Sequence, residues 1–449
     1  MTVRAAVGAL VAVLLGLVGL HLFAVSGRTI YRGGPIVTMD AEQRVVEALG
    51  IDGDRIAVVG SETDVLAWGG RWARVLDLHG HALLPGFVDA HSHFPGAGLF
   101  AVVEDLHPPP MGDVASIDDV VARMRRRAST TGGRSWVVGM GYDDTLLAEG
   151  RHPTREDLDR VSTERPLATL HISGHLAAVN SRGLAVLGYD ACTPDGVGGR
   201  IRRDPTTGEP DGVLEERAIE PLTALLAPGP LDALRIVREG SRRYLAAGVT
   251  TAQNGNATMQ QIRSLAWASR LGVVPLRLVL WPDVEAIDAV LDGRAPFPVT
   301  DEEWVRIGAV KLVADGSIQG YTANLTAPYH VPPAADPAYR GYPRIPRDEL
   351  SARIARYHAQ GLQVAVHGNG DAAIDDILDA VEHAQQAHPR PDARPIVVHA
   401  LMARPDQLDR MQRLGIVPSF FVLHTYYWGD RHRDRFLGPE RAARISPVA

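Results

Sequence analysis

The sequence has 449 residues, of which 45% are apolar and 22% are charged, so it can form a large domain with a smaller one attached. A formal net charge of −7 argues against nucleic acid as a partner, because a phosphate-tracking surface needs clustered positive charge. The single cysteine, Cys192, excludes an intrachain disulfide and gives no indication of the redox compartment.

The N-terminal segment, residues 1–27, contains a nearly uninterrupted apolar run from Ala5 to Val25. Such a run is long enough to span a bilayer as a helix. It is also longer than the apolar core of about 7–15 residues in a cleaved signal peptide, which favours an uncleaved membrane anchor. A cleaved signal, with its site at Ala24–Ser26, is the alternative. Either one predicts a membrane-anchored or secreted protein whose body is extracytoplasmic.

Residues 28–82 consist of short alternating apolar segments, among them Pro35–Thr38 and Arg55–Val59, separated by glycine and aspartate. Alternation with a period of two is the pattern of half-buried strands. Asp52–Asp54, an Asp-Gly-Asp triplet between two segments, indicates a hairpin turn. This region is therefore predicted to be a small β-domain.

From residue 83 to residue 449, apolar strands alternate with amphipathic helical segments, which is the rhythm of a parallel α/β barrel. The predicted strands are Leu84–Ala90, Trp136–Met140, Gly248–Ala252, Ala309–Val313, Gln363–His367, Ile396–His399 and Ile416–Phe421. The predicted helices are Ile117–Ala128, Leu231–Ala247, Asp348–Gln360 and Ala372–Gln386. Residues 142–230 are rich in Gly, Pro and Asp and are predicted to be a long irregular insertion that acts as a lid or faces the substrate.

His91 and His93 follow the first apolar run of this region. In an extended strand, residues i and i+2 point the same way, so both imidazoles would converge on one spot. Neutral imidazole is a common ligand of zinc and similar ions. This spacing predicts two metal ligands, with a solvated strand face as the alternative.

Lys311 is the only lysine in the sequence and lies in the middle of an apolar strand. A buried lysine with a depressed pKa can react with CO₂ to form a carbamate, an anionic oxygen ligand that can bridge two cations. Pairing with Asp315, or an outward-pointing ammonium, is the alternative. His367 and His399 each close an apolar strand, and two histidines with this placement favour a metal centre. Asp371 is predicted either to cap a helix or to contact His367.

Four phrases carry a resemblance to the amidohydrolase superfamily of metal-dependent hydrolases. PGFVDAHSH at residues 85–93 resembles its first barrel strand. GAVKLVADGSIQG, VAVHGNGDAAID and PIVVHALM, which begin at residues 308, 364 and 395, resemble strands of the branch with the YtcJ-like proteins and the N-substituted formamide deformylases. The resemblance implies a TIM-like (β/α)8 barrel with a small β-sandwich half-domain before it. It also implies a centre of one or two zinc ions, and the ligands carried over are His91, His93, Lys311, His367 and His399.

The same resemblance implies further site residues. Lys311 and His399 are carried over as catalytic residues as well as ligands. The Gly-His…Asn-Ser element of the family matches His175 and Asn180, which are expected to contact the substrate. His424, followed by Thr-Tyr-Tyr-Trp, is expected to line an aromatic substrate pocket, with simple packing as the equal alternative.

The resembled family takes a carboxylate from its eighth strand, and no such strand is recognised before the sequence ends. The expectation is therefore an incomplete version of the fold, without the eighth strand and the returning sandwich strands, and with little solubility or activity. If the chain is active as it stands, Asp315 or Asp371 would have to shuttle the proton.

The function that this reading predicts is hydrolysis of a non-peptide carbon–nitrogen bond in a small N-substituted, formamide-like amide by a metal-bound hydroxide. Ester or phosphoester hydrolysis on the same centre is one alternative, and a non-catalytic metal- or ligand-binding protein is another. The expected partners are a small-molecule substrate and a membrane contacted through the N-terminal segment. Nucleic acid is excluded, and assembly into a homo-oligomer is compatible with the sequence.

Overall fold

The computed structural model of the chain describes residues 27–132, 135–298, 300, 303–333 and 336–448. The chain divides into two compact units, of which the first ends at Phe87 and the second begins at Val88. The predicted anchor or signal, Ala5–Val25, lies outside the described residues. Among the residues that are described, no helix is both long and apolar enough to cross a bilayer.

The first unit contains a sheet in the order β3–β2–β1–β4. Its strands, as far as they are described, are β1 (Arg28–Val37), β2 (Val45–Asp52), β3 (Arg55–Gly60) and β4 (Arg74–Asp77). β2 and β3 form the predicted hairpin at Asp52–Asp54, which confirms that turn. Helix Glu62–Gly69 packs on the sheet, with Ile30, Ala48 and Val65 fully buried between them. Completion of this sheet into a sandwich stays a prediction.

The remaining strands are numbered in chain order, and β5 lies at the boundary between the two units. They are β5 (Phe87–Val88), β6 (Glu104–Asp105), β7 (Val137–Tyr142), β8 (Leu167–His171), β9 (Leu176–Val179), β10 (Gly199–Arg203), β11 (Pro210–Glu216), β12 (Val249–Ala257), β13 (Arg277–Pro282), β14 (Val305–Ile307), β15 (Val310–Val313), β16 (Val364–Gly368), β17 (Ile396–His399) and β18 (Val417–Phe420). The α-helices are Ile117–Thr130, Arg155–Asp159, Ser181–Leu187, Glu220–Leu225, Pro230–Ala246, Met259–Arg270, Val284–Leu291, Arg347–Ala359, Asp371–Ala387, Pro405–Leu414, Leu423–Arg431 and Gly438–Ala442.

Within the described part of this unit, parallel strands fall into three groups. β15, β16, β17 and β18 lie side by side in sequence order. β12, β13 and β14 form a second set. β6, β7 and β8 form a third set, which continues into the antiparallel strands β9, β11 and β10. The connections through helices are those of a mixed α/β fold of the TIM-barrel type, and closure of the barrel stays a prediction.

Side chains along β15 and β16 point alternately to the two faces of the sheet, one apolar and one that carries polar groups. Val310, Leu312 and Val366 pack with the following helices in one buried apolar cluster. Because successive side chains of a strand point to opposite faces, Lys311 and His367 lie on the other face. The apolar pattern that builds the core therefore also places these two polar side chains on the same side.

The apolar run before His91 forms a shorter strand than the predicted Leu84–Ala90. Only Phe87–Val88 joins a ladder. Pro85 and Gly86 account for the difference, because proline has no N–H to donate and glycine weakens a strand interior.

The prediction of an irregular region over residues 142–230 is wrong. The region contains β8 to β11 and several short helices, and β9 pairs antiparallel with both β8 and β11. Ala177, Val179 and Leu214 from these strands are fully buried. The strands are short and lie between segments rich in turn-forming residues, which dominate the sequence pattern. The role of this region as a lid stays a prediction.

Candidate metal centre

Four histidines meet in one place. The ring centroids of His91 and His93 lie 5.3 Å apart, those of His91 and His399 lie 5.5 Å apart, and those of His367 and His399 lie 4.6 Å apart. His367 and His399 come from the carboxyl ends of the neighbouring parallel strands β16 and β17. His93 is bridged to Asn254 of β12, which fixes the first pair beside that strand. We call these four residues the histidine cluster.

Lys311 joins the histidine cluster from β15. It lies on the strand next to that of His367, and after burial its charge is among the causes that lower the pKa of every histidine in the cluster. Lys311 is 3% exposed, and burial lowers its pKa to about 7. Within the described part of the chain it forms no ion pair with Asp315, whose carboxylate is bonded to backbone N–H groups instead.

The ring of His91 is oriented by Gln253. His91 Nδ1 lies 2.7 Å from Gln253 Oε1, and an amide oxygen can only accept, so Nδ1 donates. Nε2 therefore carries the lone pair, and this atom is buried without a hydrogen-bond partner. Buried polar atoms normally have a partner, and none of the residues that the structure describes supplies one for Nε2. A divalent cation fits this position, because a second hydrogen bond that fixes the tautomer is the usual accompaniment of a metal-binding histidine.

Burial keeps the histidine cluster neutral. It lowers the pKa of His91 to about 4 and that of His93 to about 3, and it lowers those of His367 and His399 well below the ordinary value. Neutral imidazole is the form that binds metals. Nitrogen donors of this kind suit zinc and similar ions.

His367 is held by the loop that follows β15. Its Nε2 lies 3.0 Å from the carbonyl oxygen of Gly316 and 3.0 Å from the amide nitrogen of Asn369. Donation of the ring N–H to the carbonyl leaves a lone pair on Nδ1. The side-chain amide of Asn369 donates to the same carbonyl at 2.8 Å. The loops after β15 and β16 thus fix this imidazole together.

Asp315 and Asp371 are occupied by structural contacts. The fully buried Asp315 accepts backbone N–H groups at 2.8–3.0 Å from three loop residues, Asn324, Asn369 and Gly370. Burial raises the pKa of Asp315 to about 7, although these N–H groups act in the opposite direction. Asp371 begins a helix and accepts the backbone N–H of Thr326 at 2.9 Å, rather than contacting His367. Both carboxylates are therefore poor candidates for a proton shuttle.

His175 lies beside the histidine cluster, with its ring centroid 5.1 Å from that of His367. Its Nδ1 is 2.9 Å from Glu216 Oε2, and its carbonyl oxygen accepts the Glu216 backbone N–H at 2.8 Å. The register of β9 and β11, in which Leu176 faces Glu215, sets His175 and Glu216 opposite each other. The structure thus brings His175 to the site, together with a carboxylate that the sequence analysis does not identify.

Asn180 has a capping role. Its Oδ1 accepts the backbone N–H groups of Leu167 at 3.0 Å and Gly183 at 2.8 Å, and its amide nitrogen donates to the carbonyls of Ser162 and Arg165. These four bonds use the full hydrogen-bonding capacity of the amide. No polar atom of Asn180 is left for the substrate contact that the resemblance implies.

His424 belongs to an aromatic row that extends from the histidine cluster. The ring of Phe421 lies 5.5 Å from that of His399 and 4.8 Å from that of His424, and the ring of Trp428 follows at 4.8 Å. His424 is buried, and burial lowers its pKa to about 4. The row forms an apolar wall, in which Phe421 at 36% exposure is the more open member.

Asp143, Asp144 and His171 form a second buried group whose ligand atoms lie within 4.8 Å of one another. Asp144 Oδ1 is 3.2 Å from His171 Nε2. The spacing would allow a cation, and the sequence analysis does not identify this group. Its two aspartates directly follow β7, so it also lies at the end of a parallel strand.

The contacts of Asp143 favour a structural role for this second group. One carboxylate oxygen accepts from the Trp428 indole N–H at 2.9 Å and from Arg431 at 2.6 Å, and the other accepts the backbone N–H of Thr145 at 3.0 Å. The Arg431 cation already balances one of the two aspartates. Asp143 therefore ties the helix Leu423–Arg431, and with it the aromatic row, to the end of β7.

Replacing Asp143 with alanine is expected to lower the free energy of unfolding by about 3 kcal/mol, because a buried ion pair loses one partner and leaves Arg431 unpaired. Urea unfolding measures this effect. Asp434→Ala is the control, since Asp434 pairs with Arg433 on the surface, and it should shift the midpoint far less. A destabilisation that disappears in protein treated with chelator would contradict the ion-pair explanation and favour a bound cation.

Neighbouring parallel strands thus bring Lys311, His367 and His399 to one end of a sheet, which is where barrel enzymes carry their active sites. Residues 74–449 match the amidohydrolase family, and the chain belongs to this family. It is therefore a metal-dependent hydrolase that acts on carbon–nitrogen bonds.

Three known proteins illustrate the likeness. The chain is 30% identical over 403 residues to N-substituted formamide deformylase of Arthrobacter pascens, which covers 88% of this chain and 72% of that protein. It is 28% identical over 414 residues to YtcJ of Bacillus subtilis, covering 89% of this chain and 74% of that one. The crystal structure of an uncharacterized metal-dependent hydrolase from Pyrococcus furiosus has a TM-score of 0.68 and 26% identity, covering 93% of this chain and 81% of that chain. These likenesses confirm the family predicted from the four sequence phrases and the α/β fold of the TIM-barrel type.

Proposed function

We propose that this protein hydrolyses a small N-substituted amide of the formamide type at a centre of one or two zinc ions. The observation that carries the proposal is the buried, unpartnered Nε2 of His91 within a cluster of four neutral imidazoles. The similarity to an N-substituted formamide deformylase supports the choice of substrate class.

In this proposal the histidine cluster and Lys311 hold the metal. A bound divalent cation supplies Lewis acidity, which polarises the scissile carbonyl and lowers the pKa of a bound water toward about 7. The protein contributes a set of donors, of which His367 and Lys311 are buried, and partners such as Gln253 behind His91 fix their orientation. Exclusion of bulk water strengthens every electrostatic interaction within the site.

Lys311 is proposed to act as a carbamate. Its amine is partly unprotonated at neutral pH, because burial brings its pKa to about 7. The unprotonated amine can attack CO₂, forming a nitrogen–carbon bond and releasing one proton, so that a neutral amine becomes an anionic oxygen ligand. This anion would balance cationic charge in a pocket whose four imidazoles are uncharged.

The N-substituent is proposed to lie against aromatic side chains that border the cluster. The ring of Trp281 is 5.5 Å from that of His91, and the ring of Phe421 is 5.5 Å from that of His399. Apolar walls with a few polar groups are typical of small-molecule sites. His175 and His424 complete the set of residues proposed to surround the substrate.

Removal of metal is the experiment that tests the proposal. Protein treated with a chelator is expected to lose turnover of N-substituted formamides, and stoichiometric zinc should restore it, because the cation provides several kcal/mol of transition-state stabilisation. Metal analysis and amine release measure the two effects, and matched esters and phosphoesters serve as comparison substrates. Full amide turnover in metal-free protein, or turnover of the esters alone, would contradict the proposal.

A further inference from the structure

The contacts of His175 define its tautomer. Glu216 is held as a carboxylate by the Arg344 guanidinium, whose Nη1 lies 3.1 Å from its Oε2, and its pKa stays below the ordinary value although burial works to raise it. An ionised carboxylate can only accept, so the 2.9 Å contact is a hydrogen bond donated by His175 Nδ1. With Nδ1 as the protonated nitrogen, the lone pair of the neutral form of this imidazole lies on Nε2. In that form the second nitrogen of His175 is an acceptor, on a ring whose centroid lies 5.1 Å from that of His367.

The backbone of Glu216 is held in an unusual conformation. Its φ is 51°, a left-handed value that is uncommon for a residue with a side chain and costs about 1–3 kcal/mol. Such a conformation persists only where the surroundings fix it, and it recurs at functional sites. His399 of the histidine cluster, with φ 72°, is another example.

The carboxylate of Glu216 is held through Oε2, which accepts from both His175 and Arg344. Arg344 Nη1 lies 3.1 Å from Oε2, and Arg344 is itself anchored by Glu220 at 2.7 Å. Oε1 lies against Gly316, where a Cβ atom would meet it at 2.0 Å, so the close approach requires glycine at that position. The carbonyl of Gly316 is the group that contacts His367 Nε2. One short segment therefore accommodates Glu216 and orients a member of the histidine cluster.

We propose that Glu216 is a positioning residue that holds His175 with Nδ1 protonated, so that His175 Nε2 accepts a hydrogen bond from the water that attacks the scissile carbonyl. The role of the water rests on the proposed amide hydrolysis. A carboxylate behind an imidazole that faces the reactants fixes both its tautomer and its orientation, and loss of the correct tautomer is costly in enzymes that use this arrangement. Asp315 and Asp371, whose oxygens are bonded to backbone N–H groups, do not offer such an acceptor.

Three variants separate positioning from general stability. Glu216→Ala removes the acceptor of the Nδ1 hydrogen bond and is expected to lower kcat about 10- to 100-fold with little change in KM. Glu216→Gln keeps an amide oxygen that Arg344 and His175 can both donate to, and should recover most of the rate. Glu215→Ala is the matched control, because Glu215 is the buried neighbour in β11 that contacts Tyr342 instead, and it should stay close to the parent.

A double-variant comparison tests whether Glu216 acts through His175. The rate of His175→Ala should not fall further when Glu216→Ala is added, because the carboxylate then has nothing left to orient. Independent, multiplicative losses would overturn the proposal. Equal losses in Glu216→Ala and Glu215→Ala would also overturn it, since they would show a general effect of disturbing β11.

The tautomer itself provides a readout that does not depend on turnover. In metal-free protein with ¹⁵N-labelled histidine, multiple-bond ¹H–¹⁵N correlations should show His175 with Nδ1 protonated and Nε2 unprotonated, assigned by its absence in His175→Gln. Glu216→Ala should change the chemical shifts of His175 or give a mixture of its two tautomers, while Glu216→Gln should keep Nδ1 protonated. A parent protein with Nε2 protonated would overturn the assignment to Glu216 even if amides are hydrolysed, and the expected tautomer would stand if the amide substrate proved wrong.

Discussion

His367→Ala and His91→Ala are each expected to reduce bound metal per chain and to lower amide turnover by about 10³-fold. Each removes one donor from a cluster in which His367 and His399 lie 4.6 Å apart and His91 and His399 lie 5.5 Å apart. Loss of Lewis acid stabilisation of several kcal/mol corresponds to at least this factor, since about 1.4 kcal/mol is tenfold in rate. Elemental analysis of purified protein and steady-state kinetics give the two measurements.

His383→Ala is the matched control for these variants. His383 is an exposed histidine on the helix Asp371–Ala387, so its removal changes the histidine content without touching the cluster. It should retain the metal content and the rate of the parent. Full metal stoichiometry in both His91→Ala and His367→Ala, with native circular dichroism, would show that the cluster is not the metal centre.

Lys311→Arg is expected to abolish turnover and to lower the metal content by one ion where the parent binds two. Arginine keeps a positive charge in place of the lysine ammonium but cannot form a carbamate, and an always-charged guanidinium in a buried site repels the cations. Added bicarbonate should raise metal loading in the parent and leave it unchanged in the variant. Metal analysis with and without bicarbonate measures this difference.

The absence of other lysines gives this prediction a direct spectroscopic test. In protein loaded with ¹³C-bicarbonate, a lysine carbamate signal can arise only from Lys311, so it should be present in the parent and missing in Lys311→Arg. A metal-loaded structure with a bare Lys311 amine far from any metal would contradict the carbamate. So would a Lys311→Arg variant with the full metal content.

The sequence predicts the local parts of this fold well. Helices over Asp348–Gln360 and Ala372–Gln386 are observed at Arg347–Ala359 and Asp371–Ala387, and the strand Ile396–His399 is found at the predicted residues. These elements have strong apolar periodicity, which depends only on neighbours along the chain. The placement of histidines at the ends of such strands is enough to predict that His367 and His399 meet.

The partners of the site residues could not be predicted in the same way. Gln253 is 162 residues from His91, and Glu216 is 41 residues from His175, so each contact depends on strand register rather than on local sequence. Glu216 ends an apolar run, Val213–Leu214, next to a second glutamate, and this pair of buried carboxylates is the signal that could have identified it. The strand predicted before His91 failed for a local reason, because Pro85 and Gly86 interrupt its apolar run.

The three backbone hydrogen bonds of Asp315 have a consequence for how the protein receives a metal. A single carboxylate, that of Asp315, links the loop after β15 to the loop after β16. The link uses backbone N–H groups, which are not metal ligands. The loop that follows His367 is therefore in place once the chain has folded, and binding a cation requires little further loss of conformational entropy there. Metal-free and metal-loaded protein should consequently superpose closely in these loops, and one divalent ion should exchange for another without unfolding them.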